Sequence, residues 1–290
     1  MPRLTISKTP KCYVGGKFIR SESARTFPLN DSSGEFFAHV PQCTRKDVRN
    51  AVEVAAKAAS GWAGRSAYNR GQVFYRLAEM LEPRSVELVD ALKLGGATTA
   101  DAKSEVSATI DRILHYAGWT DKYEQLLGGV NPVASPHFNF TVTESIGVVG
   151  VVAPDESPLL GLLTCILPAI TSGNSVVIIT SEAAPYPAIA LGEMLATSDL
   201  PGGVVNLLTG FRKEMVPTFA THEHIRAIGG VVNVEDRKTL ETGGAESMKR
   251  VKIFDAANTI DWQAGDGPKA SLYAIADFVE FKTTWHPVGA

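Results

Sequence analysis

The chain has 290 residues, 44% hydrophobic and 20% charged, with a formal net charge of −3. This balance supplies a sizeable core and excludes the basic surface that nucleic acid or anionic lipid requires. No long apolar run spans a bilayer, the opening MPRLTISKTPK lacks a secretory apolar stretch, and Cys12, Cys43 and Cys165 are sparse, so the sequence predicts reduced thiols in a cytoplasmic protein.

Cys12–Val14 and Lys17–Ile19 flank Gly15-Gly16, the signature of a two-residue hairpin. Thr44 opens a helix, with Asp47 at capping-box spacing and Val48, Val52, Ala55, Ala56 and Ala59 on one stripe; Gly61-Trp62 is expected to end it. A second helix is predicted over 67–81, broken by Pro83, and a third from Arg84 to Leu94, stopped by Gly95-Gly96. A long fourth begins after Asp101, with Val106, Ile110, Ile113, Leu114 and Ala117 at helical spacing. The period then changes to that of a strand, from Phe138 through Ile146 to Val148. From Val148 strands and helices alternate: strand Val148–Ala153, the Leu159–Leu167 helix, strand Val176–Ile179, helix Tyr186–Ala196, strand Val204–Leu208, helix Lys213–Thr221 and a short strand Ala227–Ile228. Strands apolar on both faces predict an α/β fold with a doubly wound parallel sheet. Near the end, Tyr273, Ile275, Val279, Phe281 and Trp285 fall on one face of what reads as a single long strand, which can pair with the 138–148 strand as an antiparallel ribbon.

Several stretches resemble the aldehyde dehydrogenase superfamily. HYAGWTDK at 115–122 is similar to the helix leading into that family's oligomerisation ribbon, and TESIGVVGVVAPDESPLL at 143–160 to its first nucleotide-binding strand and Pro-Trp-Asn-Phe-Pro turn. LPAITSGNSVVIITSEAAPYPAIALGEML at 167–195, DLPGGVVNLLTG at 199–210 and ADFVEFKTTWHPVG at 276–289 follow in the family's order. The resemblance implies a Rossmann-like domain over 1–130 and 147–262, and an oligomerisation ribbon over 131–146 plus 270–290. It also implies an omission. The stretch KRVKIFDAANTIDW at 249–262 reaches the ribbon strand after only the link Gln263–Lys269, where the family carries its catalytic domain, on the order of 200 residues. The layout is similar to the degenerate C-terminal half of family sixteen aldehyde dehydrogenases.

Carried over residue by residue, the resemblance predicts lost chemistry. Aldehyde oxidation needs a thiolate to form a thiohemiacetal, from which hydride leaves to a nicotinamide. The family's Gly-Gln-x-Cys nucleophile lies in the omitted part, and Cys165 sits among Leu162, Leu163, Ile166 and Leu167, the setting of a small core side chain. The turn Pro154-Asp155-Glu156-Ser157-Pro158 puts Glu156 where the family's Asn donates to the oxyanion, and an ionised carboxylate only accepts. Asp155 and Glu156 as a new acid–base pair is disfavoured because neighbours on a turn point apart; acids at a helix start suit its dipole. Phe254 stands at the general-base Glu position and cannot move a proton.

The candidate cofactor positions are degenerate in the same way. In Ile179-Thr180-Ser181-Glu182, Ser181 and Glu182 match the family but Ile179 replaces a Lys. In Gly210-Phe211-Arg212-Lys213-Glu214-Met215-Val216, Arg212 and Val216 replace glycines; in Gly230-Val231-Val232-Asn233-Val234-Glu235, Val231 and Glu235 replace Ser and Gly at the pyrophosphate site. Pro154, Glu156, Ser181, Glu182, Arg212, Gly230 and Val231 are therefore vestigial cofactor positions. No cofactor is expected, NAD or NADP if any, unless Arg212 supplies a new adenine or phosphate contact. His222-x-His224 has no third ligand nearby in the sequence and reads as a solvated loop. The function implied is a pseudoenzyme, not an enzyme on its own, that associates with a full-length aldehyde dehydrogenase or with itself as a homodimer. The alternative is an NAD(P)-dependent oxidoreductase component that completes a site with a partner.

Overall fold

Gly15 and Gly16 take φ of 64° and 77°, which residues with side chains adopt only at a cost, and fold β1 (Cys12–Val14) onto β2 (Lys17–Ile19). The computed structural model describes residues 8–264 and 271–289; Met1–Ser7 and most of the predicted Gln263–Lys269 link lie outside them. β3 (Thr26–Asn30) and β4 (Phe36–Pro41) form a separate hairpin. α1 (Arg45–Ala63) starts on the predicted capping box, Asp47 Oδ2 accepting the Thr44 N–H at 2.8 Å. It does not stop at Gly61. Trp62 is fully buried within it and donates from Nε1 to the Ile170 carbonyl at 2.8 Å, which outweighs the ~1 kcal/mol helix penalty of one glycine.

α2 (Ala67–Leu81) passes through a 3₁₀ turn at Glu82–Arg84, where Pro83 redirects the chain into α3 (Ser85–Leu94). α4 (Thr99–Trp119) begins two residues before Asp101, because Thr98 is the N-cap and its Oγ1 accepts the Asp101 N–H at 3.1 Å. α5 (Tyr123–Leu127) leads to β5 (Gly129–Asn131) and β6 (His137–Ser145). The predicted strand through Ile146 to Val148 is broken at Gly147, whose φ of 109° turns the chain into β7 (Val148–Val152). Alternation then runs as predicted through α6 (Leu160–Thr171), β8 (Ser175–Ile179), α7 (Tyr186–Leu195), β9 (Val205–Leu208) and α8 (Arg212–Thr221). β10 (Ile225–Val232) is far longer than Ala227–Ile228, and α9 (Val234–Ala245) and β11 (Arg250–Asp255) follow.

The terminal segment corrects the sequence reading. It is not one strand but a short helix, α10 (Leu272–Ala276), followed by β12 (Val279–Pro287). Ile275 is buried while Tyr273 is 75% exposed, so the two share no face. β12 does pair antiparallel with β6, from Val279 opposite Ser145 to Pro287 opposite His137.

The main sheet has the order β11-β10-β7-β8-β9-β1-β2; β10, β7, β8, β9 and β11 are parallel, and β1 joins β9 antiparallel. Alternate residues feed two cores. Val149, Val151, Val176, Ile178 and Leu207 face the layer of α2, α3, α4, α6 and α7. Val148, Val152, Val177, Ile179 and Leu208 face α1, α8 and α9. This is the expected α/β fold, with two further antiparallel sheets, β12-β6-β5 and β3-β4. Asn174 ties the first of these to the main sheet: Oδ1 accepts the Gly147 N–H at 2.9 Å, and Nδ2 donates to the Phe278 carbonyl at 2.8 Å. Among the described residues no helix is long and apolar enough to cross a membrane.

Candidate functional site

β7 continues to β8 and β9 on one side and meets β10 on the other, so the chain order reverses between β7 and β10. In open α/β sheets, ligands enter the crevice beyond the strand C-termini at such a reversal. The predicted site residues beyond the strands follow β7, β8 and β9: Pro154 and Glu156, Ser181 and Glu182, and Arg212 at the start of α8. Gly230 and Val231 are still within β10.

On the β8–β9 side, Asp155 gathers three of the loops. Its Oδ1 accepts the Ser181 hydroxyl at 2.7 Å and the Glu182 N–H at 3.0 Å. Its Oδ2 pairs with Arg212 Nη1 at 2.9 Å, and Arg212 Nη2 donates to the Ala153 carbonyl at 2.7 Å. Glu182 accepts the Arg212 backbone N–H. The Arg212 side chain is only 11% exposed, so its charge is spent inside the protein. Ser181, Glu182 and Arg212 are thus brought together, but around the protein's own carboxylate. Sequence reasoning set Asp155 aside; its contact with Arg212 joins residues 57 positions apart and leaves no local signal.

On the β10 side, Gly230 has φ of 116°, and an added Cβ would lie 2.0 Å from the Val152 carbonyl oxygen. The glycine is required by strand packing, whatever else it does. Val231 is 1% exposed and belongs to the core. The start of α9 is capped by its own Asn233, whose side chain accepts the Asp236 N–H at 2.7 Å, with Glu235 and Asp236 in the first turn. Burial raises the Asp236 carboxyl above its usual range, and Arg212 opposes that shift.

The positions that the resemblance links to acid–base chemistry meet other parts of the chain. Glu156 is exposed and points away from Asp155, as neighbours on a turn do; its Oε1 accepts from Trp262 Nε1 at 3.3 Å. Pro154 is buried beside Gly161, where an added Cβ would meet its ring at 2.5 Å. Glu105 of α4 reaches the start of α6, accepting the Ser157 hydroxyl at 3.0 Å and the Leu159 and Leu160 N–H groups at 3.1 and 3.0 Å. An internal anion therefore already satisfies that helix terminus. Nothing in the sequence near Glu105 marks it for this role. Cys165 is 9% exposed on the wall of a cavity of about 40 Å³, which Thr164, Gly230, Lys252, Phe254 and Phe278 also line. That space holds little more than one water. Phe278 packs over Gly229, where an added Cβ would meet its ring at 3.0 Å.

The other cysteines, far apart in sequence, meet in space: Cys12 Sγ and Cys43 Sγ are 3.3 Å apart and both are buried. His222 and His224 have ring centroids 5.9 Å apart, and no group of three metal-ligating side chains forms among the described residues. A larger concavity of about 1230 Å³, bordered by Lys8, Arg84, Tyr186 and Glu193, shares none of the predicted site residues.

Residues 18–253 match the aldehyde dehydrogenase family. The chain belongs to that family. Within it, retinal dehydrogenase 2 of Mus musculus is 33% identical over 259 residues, 87% of this chain and 49% of that protein. Cytosolic 10-formyltetrahydrofolate dehydrogenase of Mus musculus is 30% identical over 259 residues, 87% of this chain and 29% of that protein. The NAD+ complex structure of aldehyde dehydrogenase from Bacillus cereus superimposes with a TM-score of 0.81 at 26% identity, covering 86% of this chain and 51% of the other. This aldehyde dehydrogenase family chain spans about half or less of the length of these relatives.

Proposed function

We propose that the chain is a non-catalytic member of the aldehyde dehydrogenase family, a structural or regulatory subunit that associates with a catalytic aldehyde dehydrogenase. The observation that carries this is the crevice at the β7–β10 reversal. Phe254 and Glu156 hold the positions that resemble the family's base and oxyanion donor, and Glu156 there accepts from Trp262 of the same chain. A carboxylate aimed at a developing oxyanion raises the barrier, and a phenyl ring takes up no proton. Cys165 lines only a small cavity of about 40 Å³, with Gly230 and Phe254.

The residues present do not fit a dinucleotide. A phosphate would have to take Arg212 from Asp155 and the Ala153 carbonyl, and at α9 it would meet Glu235 and Asp236 beside a self-capped terminus. The pseudoenzyme reading is further supported by β12, an edge strand with Phe281 and Trp285 50% and 57% exposed. Unpaired edges of this kind are sites of strand addition. The partner proposed is a full-length aldehyde dehydrogenase, whose sheet receives that edge. The test is mass photometry of the purified chain mixed with a full-length family member from the same genome. A mixed complex is expected; homo-oligomers alone, with both proteins folded, would overturn the proposal.

A second reading, an oxidoreductase component that binds NAD or NADP and completes a site with a partner, draws on Glu182 and Gly230, which match the family's cofactor positions. Titration separates the two, because a ligand that binds only the native state raises its Tm. The first reading expects a flat Tm up to millimolar NAD and NADP; the second expects a saturable rise.

A further inference from the structure

Cys12 and Cys43 play no part in the proposed function, yet their surroundings are specific. Cys12 lies in β1, next to the edge strand β2 of the main sheet, and Tyr13 opposite Leu207 is the registered pair between β1 and β9. Cys43 lies in the segment between β4 and α1, and its N–H donates to the Thr209 carbonyl at 2.9 Å. Thr209 Oγ1 stands 3.4 Å from Cys12 Sγ and donates to the Pro41 carbonyl at 2.6 Å. A single threonine thus touches both cysteine-bearing segments. Gly210 presses on Cys43, where an added Cβ would meet its backbone N at 2.9 Å. Two small apolar core residues would need none of this: the sulfurs face each other at 3.3 Å, and a hydroxyl addresses one of them.

We propose that Cys12 and Cys43 are a redox modification site: a buried dithiol that peroxide converts reversibly to a disulfide, tying the first hairpin to the segment ahead of α1. The chemistry runs in two steps. The Cys12 thiolate attacks one oxygen of hydrogen peroxide and breaks the O–O bond, giving a sulfenic acid, with hydroxide leaving and taking up the thiol's proton as water. The Cys43 sulfur then attacks the sulfenic sulfur; the S–S bond forms, the S–O bond breaks, and the hydroxyl leaves with the Cys43 proton as a second water. Two thiols lose two electrons and one peroxide gains them. The order follows from the local asymmetry. Hydrogen bonds from Cys43 and from the Thr209 backbone draw the Cys12 thiol below its usual range, whereas the same sulfur contact and burial hold the Cys43 thiol well above it. Oxidant reaches the pair when the edge hairpin opens locally. Bond formation closes the gap from 3.3 Å to about 2.05 Å. The movement is felt at Thr209, three residues before Arg212.

The test uses the full chain, folded and reduced. It is treated with hydrogen peroxide at pH 8 for hours, quenched, unfolded and alkylated. The alkylatable thiols should fall from three to one, with Cys165 remaining, and a Cys12–Cys43 cross-linked peptide should appear and vanish on dithiothreitol. Cys43→Ser should instead accumulate a sulfenic acid at Cys12, trapped by a 1,3-dione probe. Three alkylatable thiols after treatment, a cross-link to Cys165, or sulfinic acid at Cys12 or Cys43 without a cross-link would each overturn the proposal. If Cys43→Ser does not fold, the wild-type thiol count and peptide map still decide.

Discussion

β7 and β12 are strands of one chain under opposite conditions. All five residues of β7 are buried, whereas of the nine in β12 only Val279 is. The main sheet is complete in itself, fed from both faces by side chains the chain supplies. The β12-β6-β5 sheet holds its register through backbone ladders and cross-strand polar pairs, Thr141 with Thr283 at 2.9 Å and Lys282 with Glu144 at 2.8 Å. It leaves Phe138, Val142, Phe281 and Trp285 40% exposed or more. The contrast separates residues that make the fold from residues available to something outside it.

Three measurements break or sharpen that contrast. The largest effect is expected from Gly230→Val: a side chain at φ 116°, with its Cβ 2.0 Å from a carbonyl oxygen, should cost more than about 4 kcal/mol and abolish the cooperative urea transition. A wild-type midpoint would mean that β10 is not held against β7 as described. The next pair compares the core that covers the main sheet with the projecting sheet. Leu162→Ala, fully buried on α6, should lose about 2–5 kcal/mol by urea unfolding, and Phe281→Ser, 50% exposed on β12, within about 0.5 kcal/mol. Equal losses would erase the distinction between the main core and the projecting sheet. The smallest effect concerns His222, between α8 and β10. Burial there disfavours the imidazolium, so His222 titrates lower in the folded chain than in the unfolded one. The unfolded chain then binds more protons as pH drops below about 6.5, and stability falls with it. The urea midpoint should decline between pH 7.5 and 5.5, and less so in His222→Gln; identical declines would remove His222 from the account.

The parallel sheet was legible because period and burial agree: runs such as Val148–Val152 and Val176–Ile179 are apolar at every position, and few alternatives bury both faces. Tyr273 and Ile275, two apart, have the spacing of one strand face, but the segment closes into one turn of helix in which they point apart. Ile275 was drawn into the core, and that settled it. Within the site, Glu156, Arg212, Val231 and Phe254 can be singled out from the sequence position by position, but the contacts that surround them cannot. Asp155 with Arg212, Glu105 with Leu160 and Trp262 with Glu156 are long-range pairs. Local pattern carries no trace of contacts that only the closed fold brings about. The same holds for the thiols at Cys12 and Cys43, 31 positions apart.

Asn174 has a mechanical consequence. Its one amide grips the chain where it leaves β6, at Gly147, and where it enters β12, at Phe278. The projecting sheet is therefore mounted like a spar clamped at both roots rather than swung on a hinge. Whatever seats against its tip inherits a fixed bearing relative to the ends of β7 and β10, and a tug on the tip is passed to the main sheet through Asn174 and through Arg250, which donates to the Asp277 and Val279 carbonyls.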